Sequence, residues 1–187
     1  MPAVETTSIP LGFKAPDFLL PDTISANKLS LSDLKGHKAT VVMFICNHCP
    51  YVVHVKDQLV SLANDYQSKG ISFIAISSND VSKYPADSPE NMKIFAEQNK
   101  FPFPYLYDET QEVAKAYDAA CTPDFSIFDK DLTCIYRGQL DSSRPSNGKP
   151  VTGEDIRNFL DSVLSGKISE KQQIPSIGCS IKWKTDH

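Results

Sequence analysis

Residues Ala39 to Cys46, ATVVMFIC, form an unbroken β-branched, aromatic and apolar run, the pattern of a strand buried on both faces as in a parallel sheet. Beyond Pro50 the period changes. Val52, Val55, Leu59, Leu62 and Tyr66 recur at spacings of three and four, with Lys56, Asp57, Gln58, Ser61 and Asp65 between them, and Gly70 marks the stop. A buried strand that feeds an amphipathic helix commits the chain to a layered α/β arrangement. At the junction stand two cysteines in the tetrapeptide Cys46-Asn47-His48-Cys49.

The alternation continues. Ile71 to Ser77 reads as a second buried strand, and Ser88-Pro89-Glu90 opens a helix with Ser as cap and Pro at its first position. A short helical piece spans Thr110 to Tyr117, and DFSIFD and LTCIYRG, divided by Asp129-Lys130-Asp131, have the layout of a hairpin. A last helix is expected from Thr152, with Asp155 as its capping partner, to Gly166. Phe13 to Gly36 reads as an N-terminal hairpin. The expected fold class is α/β, a mixed central sheet with helices on both faces, in one domain over residues 1–187. Its core is expected at about 13–167, extended by a C-terminal tail at 168–187.

Nineteen basic against 23 acidic residues give a net charge of −4, with no basic cluster to hold a polyanion, so nucleic acid is not an expected partner. No apolar run approaches the roughly 20 residues that cross a bilayer, and the N-terminus lacks a signal-peptide pattern; no membrane association and a cytoplasmic location are expected. The five cysteines, Cys46, Cys49, Cys121, Cys134 and Cys179, are an odd number, which suits a reducing compartment better than a paired secreted framework. No cofactor is expected.

A cysteine where a buried strand gives way to a helix lies near free backbone N–H groups and the positive end of the helix dipole, which favours a thiolate. Positions i and i+3 there lie about one turn apart, within reach of a disulfide. An imidazolium at His48 would add a second stabilising charge and make the disulfide a better oxidant. Two other readings stand beside a redox dithiol: two inert core thiols, or a metal site drawing further ligands from His48, His54, Cys121, Cys134 and Cys179. With no second CxxC or HxxxH, no metal is expected.

Several segments resemble a known group. KAPDFLL, FICNHCPYV and CTPDFSIFD are similar to the opening segment, redox site and cis-proline loop of the thioredoxin-like superfamily, within its redoxin (alkyl hydroperoxide reductase/thiol-specific antioxidant) branch. YRGQLD, SRP, PVTG and PSIGCSIKWK further resemble a subgroup of bacterial peroxiredoxin-like thioredoxin-family proteins. The resemblance covers about Phe13 to Lys167. It implies a thioredoxin-like three-layer sandwich and a cis Thr122-Pro123 bond facing the dithiol. The chain departs from peroxiredoxins in having Met43, not Thr, three residues before Cys46, and from thioredoxins in having Ile45 and Asn47-His48 in place of Trp and Gly-Pro.

The resulting expectation is a thiol-disulfide oxidoreductase in which Cys46 attacks and Cys49 resolves, with His48, Thr122 and Pro123 in support. The alternative is a thiol peroxidase passing through a sulfenic acid, and beyond it a redox-sensing or metal-binding module. Expected partners are a protein or small-molecule thiol, disulfide or hydroperoxide, and an external thiol reductant. Cys121 and Cys179 are candidate extra thiols, Cys179 only where the tail folds back over the site. Cys134 reads as core, Arg137 as an exposed strand-end residue paired to Asp141, His54 as solvated, and Trp183 as an anchor of the tail.

Overall fold

The computed structural model describes residues 2–185. Its elements are β1 (Ala3–Glu5), β2 (Leu19–Pro21), β3 (Lys28–Ser30), the one-turn helix α1 (Leu31–Leu34), β4 (Ala39–Phe44), α2 (Pro50–Tyr66), β5 (Ile71–Ser77) and α3 (Pro89–Gln98). There follow β6 (Tyr105–Tyr107), α4 (Glu112–Ala116), β7 (Cys121–Thr122), β8 (Asp124–Asp129), β9 (Cys134–Arg137), α5 (Glu154–Leu164) and β10 (Ile177–Ser180).

Five strands make the central sheet in the order β6-β5-β4-β8-β9. β4 pairs parallel with β5 and antiparallel with β8, so the sheet is mixed, as the element order implies. All six residues of β4 are buried, because alternate side chains enter two different cores. Val41 and Met43 meet Val52, Leu59 and Leu62 of α2, Met92 of α3 and Phe159 of α5 on one face. Val42 and Phe44 meet Leu31 of α1, Ala114 just inside α4, and Phe18 and Leu20 of the N-terminal hairpin on the other. That is a three-layer sandwich.

Local signals place most boundaries. Ser88 caps α3 by accepting from Asn91 N at 3.3 Å, with Pro89 in the first turn. Gly70, at φ 87°, follows the short 3-10 turn that ends α2, a left-handed position that costs glycine least. Two boundaries depart from expectation. β4 ends at Phe44 rather than Cys46, because the backbone turns there toward the helix. α5 is capped at Gly153 (φ 69°), not Thr152; Thr152 Oγ1 accepts from Glu154 N at 3.2 Å, while Asp155 receives Gln139 Nε2 at 2.7 Å instead of closing a capping box.

The tail does more than extend the core. β10 lies between β1 and β7 in a three-stranded antiparallel sheet, with Ala3 opposite Cys179 on one side and Thr122 opposite Cys179 on the other. Ser176 Oγ donates to Pro123 O at 2.7 Å, and Lys182 N to Asn79 Oδ1 at 2.9 Å, tying both ends of β10 to the core.

Candidate active site

β4 and α2 bring Cys46 and Cys49 together at the C-terminal edge of the central sheet, where open α/β sheets commonly place their sites. Cys49, not Cys46, is the N-cap residue of α2, so the helix mouth belongs to the second cysteine. Both thiols are free and both are buried, at 1% and 0% exposure, so exposure does not single out Cys46 as the attacker in this conformation.

Thr122 joins the two. Its Oγ1 lies 3.6 Å from Cys46 Sγ, and its carbonyl accepts from Cys49 Sγ at 3.3 Å. The Thr122-Pro123 peptide bond is cis, as the resemblance implies. A threonine therefore does touch Cys46, but from β7 rather than from the turn before the cysteine.

The two sulfurs titrate as a pair. A hydrogen bond from the Cys46 thiol holds Cys49 well below the usual thiol range, against burial that raises it, and the Cys179 thiol and Thr122 hydroxyl act with Cys46. Cys46 is pushed far above that range, first as the donor in that bond, then by burial, then by the Asp87 carboxylate. The first proton thus leaves Cys49.

His48 faces a partner that the sequence reading did not identify. Its Nδ1 is 2.6 Å from Oδ2 of the fully buried Asp87, and its ring stacks on Tyr84 at 5.7 Å between centroids and 4° between planes. Asp87 also accepts from Asn47 N at 2.8 Å and from Asn79 Nδ2 at 2.9 Å, and Asn47 Oδ1 accepts from Tyr105 OH at 2.8 Å. Any charge on His48 is answered first by this carboxylate. The segment SSNDVSKYPAD, dense in Ser, Asn and Asp at the end of a buried strand, carries the signal for this network.

Cys46, His48 and Asp87 offer ligand atoms all within 4.8 Å of one another, three of the four that a tetrahedral zinc needs. Asp87, however, already accepts from Asn47 N and Asn79 Nδ2, one on each oxygen, which commits both of its oxygens to the protein.

The remaining thiols divide. Cys179 lies beside Cys49, its own thiol raised to about 12 by burial and then by its bond to Cys49. Cys121 neighbours Thr122 on β7 and so points to the opposite side, its thiol bonded to Pro123 O at 3.6 Å and raised by burial. Cys134 is core, as expected, donating to Tyr136 O.

Two side readings are corrected. Arg137 is 8% exposed and does not pair with Asp141; its guanidinium donates to the carbonyls of Thr7, Tyr117 and Asp118 and to Ser126 Oγ, because β9 runs it beneath the N-terminal segment. His54 is half-buried, with Nε2 3.2 Å from Ser143 Oγ. Trp183 is 38% exposed, under Lys115 Nζ at 5.9 Å. A cavity of about 560 Å³, lined by Thr6, Ile9, Cys134, Arg137, Ile168 and Gln173 among others, contains none of the dithiol residues.

Comparison with known proteins gives the family and the fold. The AhpC/TSA family matches residues 11–137. The chain belongs to the AhpC/TSA family. It is 29% identical over 115 residues, 62% of its length and 68% of the other's, to a peroxiredoxin-like protein of Mycobacterium tuberculosis (strain ATCC 25618 / H37Rv). It is 26% identical to the thiol-disulfide oxidoreductase ResA of Geobacillus thermodenitrificans, over 85% of this chain and 81% of that one. Among solved structures, an uncharacterized conserved protein from Geobacillus kaustophilus is 65% identical with a TM-score of 0.98, covering 100% of this chain and 99% of that one. The thioredoxin domain of a thiol-disulfide oxidoreductase from Bacteroides vulgatus, at 21% identity and TM-score 0.65 over 84% of this chain and 99% of that one, shares the fold. The fold of this redoxin-family oxidoreductase is therefore thioredoxin-like.

Proposed function

We propose that the protein is a thiol-disulfide oxidoreductase whose working group is the Cys46–Cys49 dithiol. The observation that carries this is the convergence of both sulfurs on Thr122, one on its hydroxyl and one on its carbonyl, at the start of α2.

In the reduced state Cys46, on the His48 side of the pair, attacks a substrate disulfide as its proton passes to the Cys49 thiolate, so that no free Cys46 thiolate forms ahead of the attack. A Cys46–substrate disulfide forms, and the leaving sulfur takes the proton now on Cys49. The Cys49 thiolate then attacks Cys46 Sγ, forming the Cys46–Cys49 disulfide and releasing the second substrate thiolate to solvent protons. Two electrons leave the dithiol, and an external thiol returns them. The odd number of cysteines supports a reducing compartment, and we place the protein in the cytoplasm.

A second reading, hydroperoxide reduction, draws support from the burial of both sulfurs and from β10 lying along β7, which suit a small substrate. Reduced wild type, Cys46→Ser and Cys49→Ser should be compared in single turnover against a small aromatic disulfide and against hydrogen peroxide. Wild type reduces the disulfide, Cys46→Ser does not, and Cys49→Ser stops at a mixed disulfide. Disulfide reduction that survives in both variants sinks the first reading; peroxide consumption by Cys49→Ser with a sulfenic acid on Cys46 favours the second.

A further inference from the structure

The edge of β7 is where an extended substrate would pair beside the dithiol, since backbone groups next to a proline remain free to bond a strand. In this chain that edge is already taken. β10 runs antiparallel along it, with Cys179 directly opposite Thr122 and Ser180 opposite Cys121. Side chains of directly opposed residues stand on the same face of a sheet. The Thr122 side chain reaches Cys46, so the Cys179 side chain is delivered to that same face. Cys46, Cys49 and Cys179 are buried in one cluster, close enough for the Cys49 sulfur to raise the Cys179 thiol.

The fit depends on Gly178. A Cβ there would lie 1.8 Å from Thr122 O and 2.5 Å from Thr122 C, so only glycine lets β10 approach β7 closely enough to seat Cys179.

We propose that Cys179 is a third redox thiol of this site, the internal acceptor to which the Cys46–Cys49 disulfide is passed. The inference rests on the reading above for the source of that disulfide. Cys179 Sγ attacks Cys49 Sγ; the Cys49–Cys179 bond forms as the Cys46–Cys49 bond breaks, and Cys46 leaves as a thiolate. The proton given up by Cys179 goes to Cys46. No electrons are gained or lost, so the exchange needs no further oxidant. Its product holds the disulfide beneath β10 and returns Cys46 to the thiol state on the His48 side, ready for a second substrate.

The test maps disulfides in the full chain. Reduced protein is treated with one equivalent of diamide, which takes two electrons and two protons from a thiol pair, then acid-quenched, digested without reductant and analysed by mass spectrometry. Wild type should yield Cys46–Cys49 first and Cys49–Cys179 later. Cys46→Ser should yield Cys49–Cys179 as its main bridge, and Cys179→Ser only Cys46–Cys49. A wild type that reduces a small disulfide and forms Cys46–Cys49 but never Cys49–Cys179 overturns the third-thiol role and leaves the dithiol function intact. A wild type inert toward the small disulfide, with Cys49–Cys179 still forming in Cys46→Ser, defeats the dithiol function and keeps the Cys49–Cys179 contact as a redox pair. The time course in wild type decides the matter by itself should Cys46→Ser fail to fold.

Discussion

Replacing Gly178 by Ala tests how β10 is held. The added Cβ would stand 1.8 Å from Thr122 O and 2.5 Å from Thr122 C, whereas a methyl carbon settles at roughly 3.5 Å from its neighbours. Both offending atoms are backbone, so no side chain can rotate away, and β10 and β7 must part by more than about 1 Å. That shift breaks short bonds that accept little stretching, Ile181 N to Ala120 O at 3.1 Å and Ser176 Oγ to Pro123 O at 2.7 Å. Overpacking of this kind costs about 1–3 kcal/mol. For a chain of this length each kcal/mol moves the melting temperature by about 2–4 °C, so a drop of roughly 2–12 °C is expected. Calorimetry reads the drop, and amide exchange locates it: Ile181 and Thr6, whose N–H groups donate to Ala120 and Ser176, should lose protection while central-strand amides keep it. An unchanged melting temperature together with full protection of both amides would refute the close approach on which the seating of Cys179 depends.

Three further outcomes follow from the site's charges. The ultraviolet absorbance of thiolate in the reduced protein should titrate with a first midpoint near 5, and Cys49→Ser should abolish that step; a first midpoint in the ordinary thiol range of about 8.5 contradicts the assignment. Asp87→Asn removes the carboxylate that raises Cys46 and should shift the pH profile of disulfide reduction to lower pH, at a stability cost of about 1–3 kcal/mol from the disturbed network; an unmoved profile speaks against Asp87 acting on Cys46. Burial raises the Asp124 carboxyl to about 6, so between about pH 4 and pH 6 the native state holds a proton that the unfolded chain has lost. Stability from this group is therefore fully present below about pH 4 and falls by roughly 3 kcal/mol as pH rises through that window. Denaturant titrations should show this fall in wild type relative to Asp124→Asn, and parallel curves for the two proteins would exclude it.

What could be read in the sequence is what repeats or alternates. β4, α2, β5 and α3 announce themselves because a fully buried strand is apolar at every position and an amphipathic helix repeats every three or four residues. The dithiol follows from that junction. The three-residue strand β1 and four-residue β10 carry no such pattern, since they pair with residues far off in the chain, Ala3 with Cys179 and Cys179 with Thr122. Gly178 reads as one more glycine until its neighbour across the sheet is known. Arg137 looks like a strand-end charge, because nothing local shows that three carbonyls from distant turns converge on it. The polar run SSNDVSKYPAD marks a segment rich in potential partners, but which of them meet Asp87 is not local: the members of its network come from the Cys46–Cys49 turn, the end of β5 and the turn before α3.

The position of β10 also separates substrates by shape. On the proposed function a small disulfide is expected to enter from the His48 side of the pair, where His48 and Tyr84 are partly exposed. An extended polypeptide disulfide needs the edge of β7, and there it competes with a strand held by two register pairs, by Ser176 Oγ on Pro123 O and by Lys182 N on Asn79 Oδ1. Competition of this kind subtracts the cost of lifting β10 from the affinity for polypeptide and leaves the small substrate untouched, because a binding-competent state populated in a fraction of molecules weakens apparent affinity by that fraction. Gly178→Ala lowers that cost by about the 1–3 kcal/mol it removes from the docked strand, so apparent affinity for a polypeptide disulfide should rise by roughly 5- to 150-fold relative to a small aromatic disulfide. The measurement is the ratio of kcat/KM for reduction of an insulin-type, disulfide-bonded polypeptide to that for the small disulfide, in wild type and variant side by side. A ratio that does not change shows that polypeptides reach Cys46 without displacing β10, and the strand is then a wall of the site rather than a competitor for it.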